Sequence, residues 1–197
     1  CSYHSIHQVD QEVDQLSDFS ALFYNIDGNY SNFDSFAADL GMQKMSYSVI
    51  ALAETNVGRD KADLFKLQNY TGLYNDKIAN KAKGTGVCLY VHCSFNATVN
   101  EKLCTVTPNL ESFFVTVNRG PSKVNIGVVY RSPNGDPVQF EKEFGHLNAL
   151  IPSNTKTIIL GDFNFDLLKR NNSTVHEFEE AVLSLGYFPL ISSQPIL

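Results

Sequence analysis

The sequence predicts an α/β protein in which two β-sheets pack face to face and helices cover the outside. Three observations support this fold class. Short apolar runs, typical of buried strands, alternate with segments of helical periodicity towards both ends of the chain. The middle of the chain, from Gly86 to Tyr130, holds several strand-like runs in succession. Strands and helices that alternate around an antiparallel block are typical of a layered sandwich.

The strand predictions rest on short runs of apolar, β-branched and aromatic residues. The first two runs are Leu22–Tyr24 and Val49–Ala53. The middle of the chain adds GVCLYVHC, the segment 98–106, SFFVTVN and KVNIGVVY. The sequence NRGPSK between the last two of these is typical of a hairpin loop. The last predicted strand is Thr157–Leu160, which leads into Gly161.

Three segments place apolar residues at spacings of three and four, as one face of a helix requires. They are 33–40, 140–151 and 175–185. Asp136 followed by Pro137 predicts the N-cap and first residue of the second helix. Thr174 and Glu177 predict a capping box for the third.

Composition excludes several classes of protein. The net charge is −6, which is not the basic profile of a protein that grips nucleic acid by charge alone. No apolar run approaches the ~20 residues of a membrane span, so no membrane partner is expected. None of the four cysteines belongs to a Cys-x-x-Cys pair, so we expect no zinc site and an intracellular setting. We expect one domain over residues 1–197, cut from a longer polypeptide.

Four predicted strands run into polar residues at their ends, where ligand-binding groups often lie on a rigid scaffold. The residues are Asn25 and Asp27, then Glu54, then Tyr130, Arg131 and Asn134, and finally Asp162 and Asn164. A single case would be explained as a turn, since Gly, Asp and Asn are turn residues. Four repetitions favour one shared site at an edge of the sandwich, formed by Asn25, Glu54, Tyr130, Asp162 and Asn164.

The stretch TIILGDFNFDLL, residues 157–168, shows the pattern most clearly. If the extended conformation continues, Asp162, Asn164 and Asp166 share one face, and Phe163 and Phe165 share the other. A carboxylate and an amide then reach the end of a buried strand with aromatic rings behind them. Asp166 itself is better explained as a loop or helix-start residue.

Three of these assignments have structural alternatives. Glu54, taken alone, would simply follow a strand onto the surface. Asp27 fits an ordinary Asp-Gly turn as well as it fits a place in the shared site. Tyr130 fits a half-buried core position as well as a contact with a ligand of that site. The sequence by itself leaves these alternatives open.

The motifs YNIDG, LAETN, VVYRSPN and ILGDFN, in this order, resemble the endonuclease/exonuclease/phosphatase superfamily with its DNase I-like fold. The resemblance covers nearly the whole chain. Within the superfamily, KTIILGDFNFDLL followed by LGYFPLIS is most similar to the endonuclease domain of non-LTR retrotransposon polyproteins. GTGVCLYV resembles the glycine-rich strand opening of that branch.

The resemblance implies a metal site that holds Mg²⁺, or Mn²⁺ in its place. Glu54 matches the metal-binding glutamate. Asn25 matches an asparagine that helps to hold the metal and phosphate region. Asp27 matches an aspartate found in the apurinic-endonuclease branch, from which many retrotransposon domains differ.

The resemblance also implies how the remaining residues act. Asp162 matches the aspartate that activates water, and Asn164 matches the asparagine that orients the site. Tyr130 and Asn134 resemble residues near the scissile phosphate, and Arg131, between them in the motif, is assigned to the same phosphate. The family continues with a strand pair that carries an aspartate and a histidine. The sequence ends before that segment, so we expect the 1–197 domain to lack its C-terminal strands and to cleave poorly alone.

Three functions are compatible with these residues. The first is a Mg²⁺-dependent DNA endonuclease that nicks target DNA in the nucleus and is followed in its parent polypeptide by a reverse transcriptase. The second is a phosphatase or phosphodiesterase of the same fold, acting on a small phosphorylated molecule or lipid. The third is a truncated copy that folds or binds without chemistry.

Overall fold

The structure of the protein, a computed structural model, describes residues 19–27, 30–43, 46–57, 59–75, 86–119, 122–166, 171–188 and 190. Its strands are β1 (Ala21–Asn25), β2 (Val49–Ala53), β3 (Tyr70–Tyr74), β4 (Cys88–His92), β5 (Asn96–Val99), β6 (Thr105–Val106), β7 (Leu110–Arg119), β8 (Ser122–Arg131) and β9 (Lys156–Asp162). Its α-helices are α1 (Tyr30–Met42), α2 (Pro137–Ala149) and α3 (Ser173–Ser184), and short 3-10 helices lie at Arg59–Leu64 and Glu101–Leu103.

The strands form two mixed sheets. The first sheet has the order β1-β2-β4-β3, and the second has the order β5-β7-β8-β9 with β6 paired to β7. Within each sheet one pair is parallel, β1 with β2 and β8 with β9, and the other pairs are antiparallel. The predicted two-sheet α/β sandwich is therefore confirmed.

A core of apolar side chains joins the two sheets. Alternate residues of β2 and β4 meet alternate residues of β7 and β8, as the two-residue period of a strand requires. Val49, Ala51, Phe113, Ile126 and Val128 are each at most 1% exposed. The facing sides of the two sheets are thus lined mainly by apolar side chains, and the polar groups between the sheets lie near the edges.

The helices cover the outer faces. Side chains of α1 pack on the first sheet around Phe33, Phe36 and Ile50. Side chains of α2 and α3 pack on the second sheet around Phe140 and Phe178. No helix in the described ranges is long and apolar enough to cross a membrane.

One helix cap matches the sequence prediction and the other does not. The Asp136 side chain accepts hydrogen bonds from the amides of Val138 and Gln139, and Pro137 is the first residue of α2. The cap of α3 is Asn172, whose side chain accepts from the Thr174 amide. The predicted Thr174 capping box is therefore wrong, because Asn172, itself a favoured N-cap residue, starts the helix two residues earlier.

The middle of the chain also differs from the prediction in detail. The predicted strand at 98–106 is divided into β5 and β6 by the 3-10 helix Glu101–Leu103. Strand β3 was not predicted, because Gly72 interrupts an apolar pattern that is already short. The predicted hairpin is confirmed, since β7 and β8 pair antiparallel from Leu110 with Arg131 to Arg119 with Ser122.

Candidate active site

The two parallel strand pairs bring four polar side chains to one edge of the sandwich. Asn25 ends β1, and Glu54 follows the residue of β2 that pairs with it. Tyr130 in β8 pairs with Asp162, the last residue of β9. Because parallel neighbours end at the same edge and the sheets face each other, both pairs meet there.

The Asn25 amide connects the two carboxylates. Its Nδ2 donates to Glu54 Oε1 at 3.0 Å and to Asp162 Oδ2 at 3.0 Å. The Tyr130 hydroxyl donates to the same Glu54 oxygen at 3.0 Å. Groups up to 137 positions apart in sequence thus share one hydrogen-bond network. The predicted clustering of these strand-end residues is confirmed, while their chemical roles stay predictions.

Tyr130 occupies the core position that was one of its two interpretations, and its phosphate contact stays a prediction. Its residue is 2% exposed and belongs to the core between the sheets, yet its hydroxyl reaches Glu54. Burial, and then the hydrogen bond to Glu54, raise the pKa of Tyr130 above its usual value. The phenol therefore stays protonated near neutral pH and acts as a neutral donor.

Asp162 is held on both sides. Its Oδ2 accepts from Asn25, and its Oδ1 accepts from the Asn164 backbone amide at 2.9 Å. The Asn164 side chain donates to the backbone carbonyl of Arg131 at 2.6 Å. Phe163 and Phe165 pack into the outer cluster with α2 and α3. Phe163 and Phe165 thus share one side as predicted, but the extended conformation ends at Asp162 and Asn164 has a left-handed backbone, so the predicted strand-like alternation does not continue.

A buried glutamate beside the site was missed by sequence reasoning. Glu111 pairs with Tyr130 across β7 and β8 and is 4% exposed. Its Oε2 accepts from the Gly86 amide at 2.8 Å, and burial raises its pKa. The available signal was an acidic residue inside the apolar run LESFFVTV. Its contact joins the second sheet to the segment that enters β4.

Backbone strain is concentrated at this edge. Asp27, Glu54, Asn56 and Asn164 have φ values of 49°, 53°, 51° and 50°. This left-handed region is tolerated by Asn and Asp but is unusual for glutamate. Such strain costs on the order of 1–3 kcal/mol per residue and persists where the surrounding structure requires it. Among these residues, Glu54 is the one whose residue type least favours the conformation.

Substituting Glu54 by glycine tests this strain. We expect Glu54→Gly to be more stable than Glu54→Ala by about 1 kcal/mol, because glycine adopts positive φ without penalty and both variants lose the same carboxylate. Chemical denaturation measures the difference. Lys142, exposed in α2, is the matched control. There the glycine variant should be less stable than the alanine variant by about 1 kcal/mol. If the difference in free energy of unfolding between glycine and alanine has the same sign at both positions, the strain argument is contradicted.

Asp27 and Asn25, both predicted metal ligands, form hydrogen bonds with other residues in this structure. Asp27 is exposed, and its backbone amide donates to Asn25 Oδ1 at 3.1 Å. This contact fits the turn interpretation of Asp27. It also turns the Asn25 nitrogen towards Glu54 and Asp162, so Asn25 orients the carboxylates in this structure. The metal-binding roles of both residues stay predictions.

Arg131 does not occupy the phosphate-binding position predicted for it. It is 5% exposed, and its guanidinium donates to the carbonyls of Phe163, Gly135 and Asn164. The sequence assigned Arg131 to phosphate because it lies in the strand-end motif. In the structure its guanidinium is buried and donates to carbonyl oxygens instead. Asn134 is exposed in the turn after β8, and its phosphate contact stays a prediction.

The donor set fits a hard divalent cation. Glu54 and Asp162 converge on one amide group, and within the described ranges no Lys, Arg or His side chain forms an ion pair with either. Mg²⁺ takes oxygen ligands, keeps several waters and is often held by one or two carboxylates. The described residues contain no cluster of three or more His, Cys, Asp or Glu side chains that could hold a metal ion, so such an ion would depend on these two carboxylates and on water.

Comparison with solved structures identifies the fold. The endonuclease domain of TRAS1, a telomere-specific non-LTR retrotransposon, is 12% identical with a TM-score of 0.61, over 86% of this chain and 71% of that one. D. rerio TDP2 in complex with single-strand DNA product is 15% identical with a TM-score of 0.58, over 89% and 67%. The AP endonuclease LMAP from Leishmania major is 14% identical with a TM-score of 0.60, over 85% and 66%.

These similarities show that the chain has the DNase I-like α/β sandwich fold. By sequence, no protein-family model and no curated protein matches it. At identities of 12–15% the similarity establishes architecture alone, since one fold hosts many functions. The function is therefore argued from the site.

Proposed function

We propose that this chain, a DNase I-like sandwich, is a Mg²⁺-dependent endonuclease domain that hydrolyses phosphodiester bonds in DNA. One observation carries the proposal: the Asn25 amide bridges Glu54 and Asp162, and Tyr130 donates to Glu54. Two carboxylates, an amide and a phenol then surround one point at the sheet edge. That combination suits attack by water on a phosphate.

Glu54 would hold the metal ion, with Asn25 and Tyr130 fixing the orientation of its carboxylate. A bound divalent ion supplies neutralisation of the charge that develops on the phosphoryl oxygens. Glu54 is partly exposed at the strand end, so its carboxylate is accessible to an ion from solution. The strained backbone that presents it supports this role.

Asp162 would act as the general base for the attacking water. A base must lie within hydrogen-bond reach of the proton that it accepts, and its orientation must be fixed. The Asn25 side chain and the Asn164 backbone amide provide that orientation. Tyr130 adds a neutral donor that does not repel the phosphate. Asn134, on its exposed turn, would contact the phosphate from outside.

The proposed DNA substrate rests on the resemblance, and the net charge limits the affinity for DNA. The net charge of −6 implies DNA binding that is weak and strongly salt-dependent, because affinity for DNA comes largely from cationic contacts with phosphates. A target-nicking domain of a retrotransposon polyprotein, joined to a reverse transcriptase and acting in the nucleus, would obtain additional DNA affinity from its neighbours. TRAS1, whose endonuclease domain shares the fold of this chain, is itself a non-LTR retrotransposon.

Removal of metal provides the first test. We expect the chain, which the sequence predicts to cleave poorly alone, to nick supercoiled plasmid slowly in Mg²⁺, to lose this activity in excess EDTA and to regain it when Mg²⁺ is added back. Glu54→Gln should reduce nicking to background at equal folded fraction. Glu179→Gln, on the exposed side of α3, should leave it unchanged.

Three outcomes would contradict parts of this proposal. Nicking that persists in EDTA would exclude the metal. Hydrolysis of a small phosphomonoester or phosphodiester without plasmid nicking would favour the phosphatase alternative. Saturable Mn²⁺ binding, followed by electron paramagnetic resonance, without hydrolysis of either substrate would indicate a domain that binds and does no chemistry.

A further inference from the structure

We propose that Arg131 is a positioning residue that fixes the segment after β9, and thereby the orientation of Asp162. It does so through main-chain carbonyls and Asn164 and touches neither metal nor substrate. The expected effect of Arg131 on the cleavage rate rests on the proposed function. Its expected effect on the conformation of Asn164 does not.

The guanidinium acts as a three-point connector. Its Nε donates to the Phe163 carbonyl at 2.7 Å, and its Nη2 donates to the Asn164 carbonyl at 2.5 Å. Its Nη1 donates to the Gly135 carbonyl at 2.9 Å. In return, Asn164 Nδ2 donates to the Arg131 carbonyl at 2.6 Å. Arg131 and Asn164 therefore hold each other through both backbone and side chain.

Packing keeps this connector in one conformation. The guanidinium carbon lies 4.4 Å from the centre of the Phe165 ring, and that ring stacks on Phe178 of α3 at 4.3 Å. Arginine favours such a position because its planar group stacks on aromatic rings and donates in several fixed directions. Burial lowers the pKa of Arg131, and the charge of Asp162 opposes that shift. The group stays cationic, since arginine does not lose its proton in proteins.

The segment after β9 needs such a connector. The β8–β9 ladder ends where Tyr130 pairs with Asp162, so the carbonyls of Phe163 and Asn164 lie beyond it. Asn164 also has a left-handed backbone. Buried carbonyl groups require donors, and the arginine fork supplies them where no strand does. This explains why a cation that the sequence places in the site motif faces away from solvent.

The effect on the site passes through one hydrogen bond. The Asn164 amide donates to Asp162 Oδ1 at 2.9 Å. Displacement of the 163–164 segment removes this donor and leaves the carboxylate held only by Asn25. Through Gly135, the same guanidinium also anchors the turn that carries Asn134. Arg131 thus sets the position of the 163–164 segment relative to the turn that carries Asn134.

Arg131→Lys tests the proposal, because lysine keeps the positive charge and lacks the planar guanidinium that donates in several fixed directions. We expect kcat for plasmid nicking to fall by about 10–100-fold, since small misplacements of catalytic groups can cost on the order of 10²-fold. KM for plasmid and the Kd for Mn²⁺ should change less than threefold. The side-chain amide signals of Asn164, assigned in nitrogen-15 spectra by their loss in Asn164→Asp, should shift or broaden.

Val117→Ala is the matched control for simple destabilisation. Val117 is fully buried in the core, six positions along β7 from the residue that pairs with Tyr130. Compared at equal folded fraction, it should keep the wild-type kcat and Asn164 signals. If Arg131→Lys fails to fold, Phe165→Leu keeps the fork and removes the stacked ring, and it should shift the same Asn164 signals.

The outcomes separate this inference from the proposed function. Unchanged Asn164 signals in a folded Arg131→Lys, or in Phe165→Leu if the lysine variant does not fold, would overturn the positioning role. A kcat that falls no further than in Val117→Ala would also overturn it. If the wild-type chain cleaves no DNA, the endonuclease proposal fails, and the Asn164 signals alone decide the role of Arg131.

Discussion

Asp162→Asn is expected to slow DNA cleavage by about 10³-fold or more, because a positioned general base contributes roughly 10²–10⁴ to a rate. Asparagine has nearly the same shape and keeps one acceptor oxygen, so it retains the hydrogen bond from either Asn25 or the Asn164 amide, while its NH2 group replaces the oxygen that faces the other donor. It cannot take a proton from water at neutral pH. Single-turnover nicking at saturating Mg²⁺ measures the loss.

Folding should survive this change, which separates chemistry from stability. Glu54 and Asp162 share one Asn25 amide, so removing one charge relieves repulsion between two carboxylates. We expect the melting temperature of Asp162→Asn to lie close to that of the wild type, because relief of this repulsion offsets the loss of one accepted hydrogen bond. Asp166→Asn, at an exposed position four residues further on, is the matched control and should cleave normally. Residual activity of Asp162→Asn within tenfold of wild type would exclude Asp162 as the base.

Gly161→Ala is expected to destabilise the fold by at least about 3 kcal/mol, at the upper end of the overpacking range. A Cβ on Gly161 would overlap the carbonyl oxygen of Val129 and lie 2.9 Å from its carbon. Both atoms belong to the backbone of β8, so relief requires separation of β8 from β9. That pairing holds Tyr130 beside Asp162, and cleavage should be lost with stability.

Gly145→Ala provides the matched comparison. Gly145 lies inside α2, and a Cβ there would meet no atom within 4 Å. Alanine should stabilise this position by about 0.5–1 kcal/mol, because glycine is a poor helix residue. Urea denaturation of both variants measures the contrast. A Gly161→Ala protein with wild-type stability would show that β8 and β9 are not packed as closely as the structure has them.

Residues whose position follows from local pattern were predictable. Asn25, Glu54 and Asp162 each lie at the end of a short apolar run that forms a strand, although only β2 is fully buried and β1 and β9 are half-buried. The alternation around Phe163 and Phe165 was equally local. By contrast, Glu111 and Arg131 were missed or misassigned, because their partners are the Gly86 amide and three main-chain carbonyls. No side-chain pattern in a sequence specifies backbone partners of that kind.

The sequence by itself thus determined the sandwich, the strand ends and the identity of the polar groups presented there, since these depend on neighbours a few residues apart. Only the tertiary structure decided that Asn25 lies between Glu54 and Asp162, and that Arg131 faces inward. Those contacts depend on the parallel pairing of β1 with β2 and β8 with β9 and on the packing of one sheet against the other. Pairing and packing bring together residues up to 137 positions apart, and such contacts form only when the whole chain buries its core.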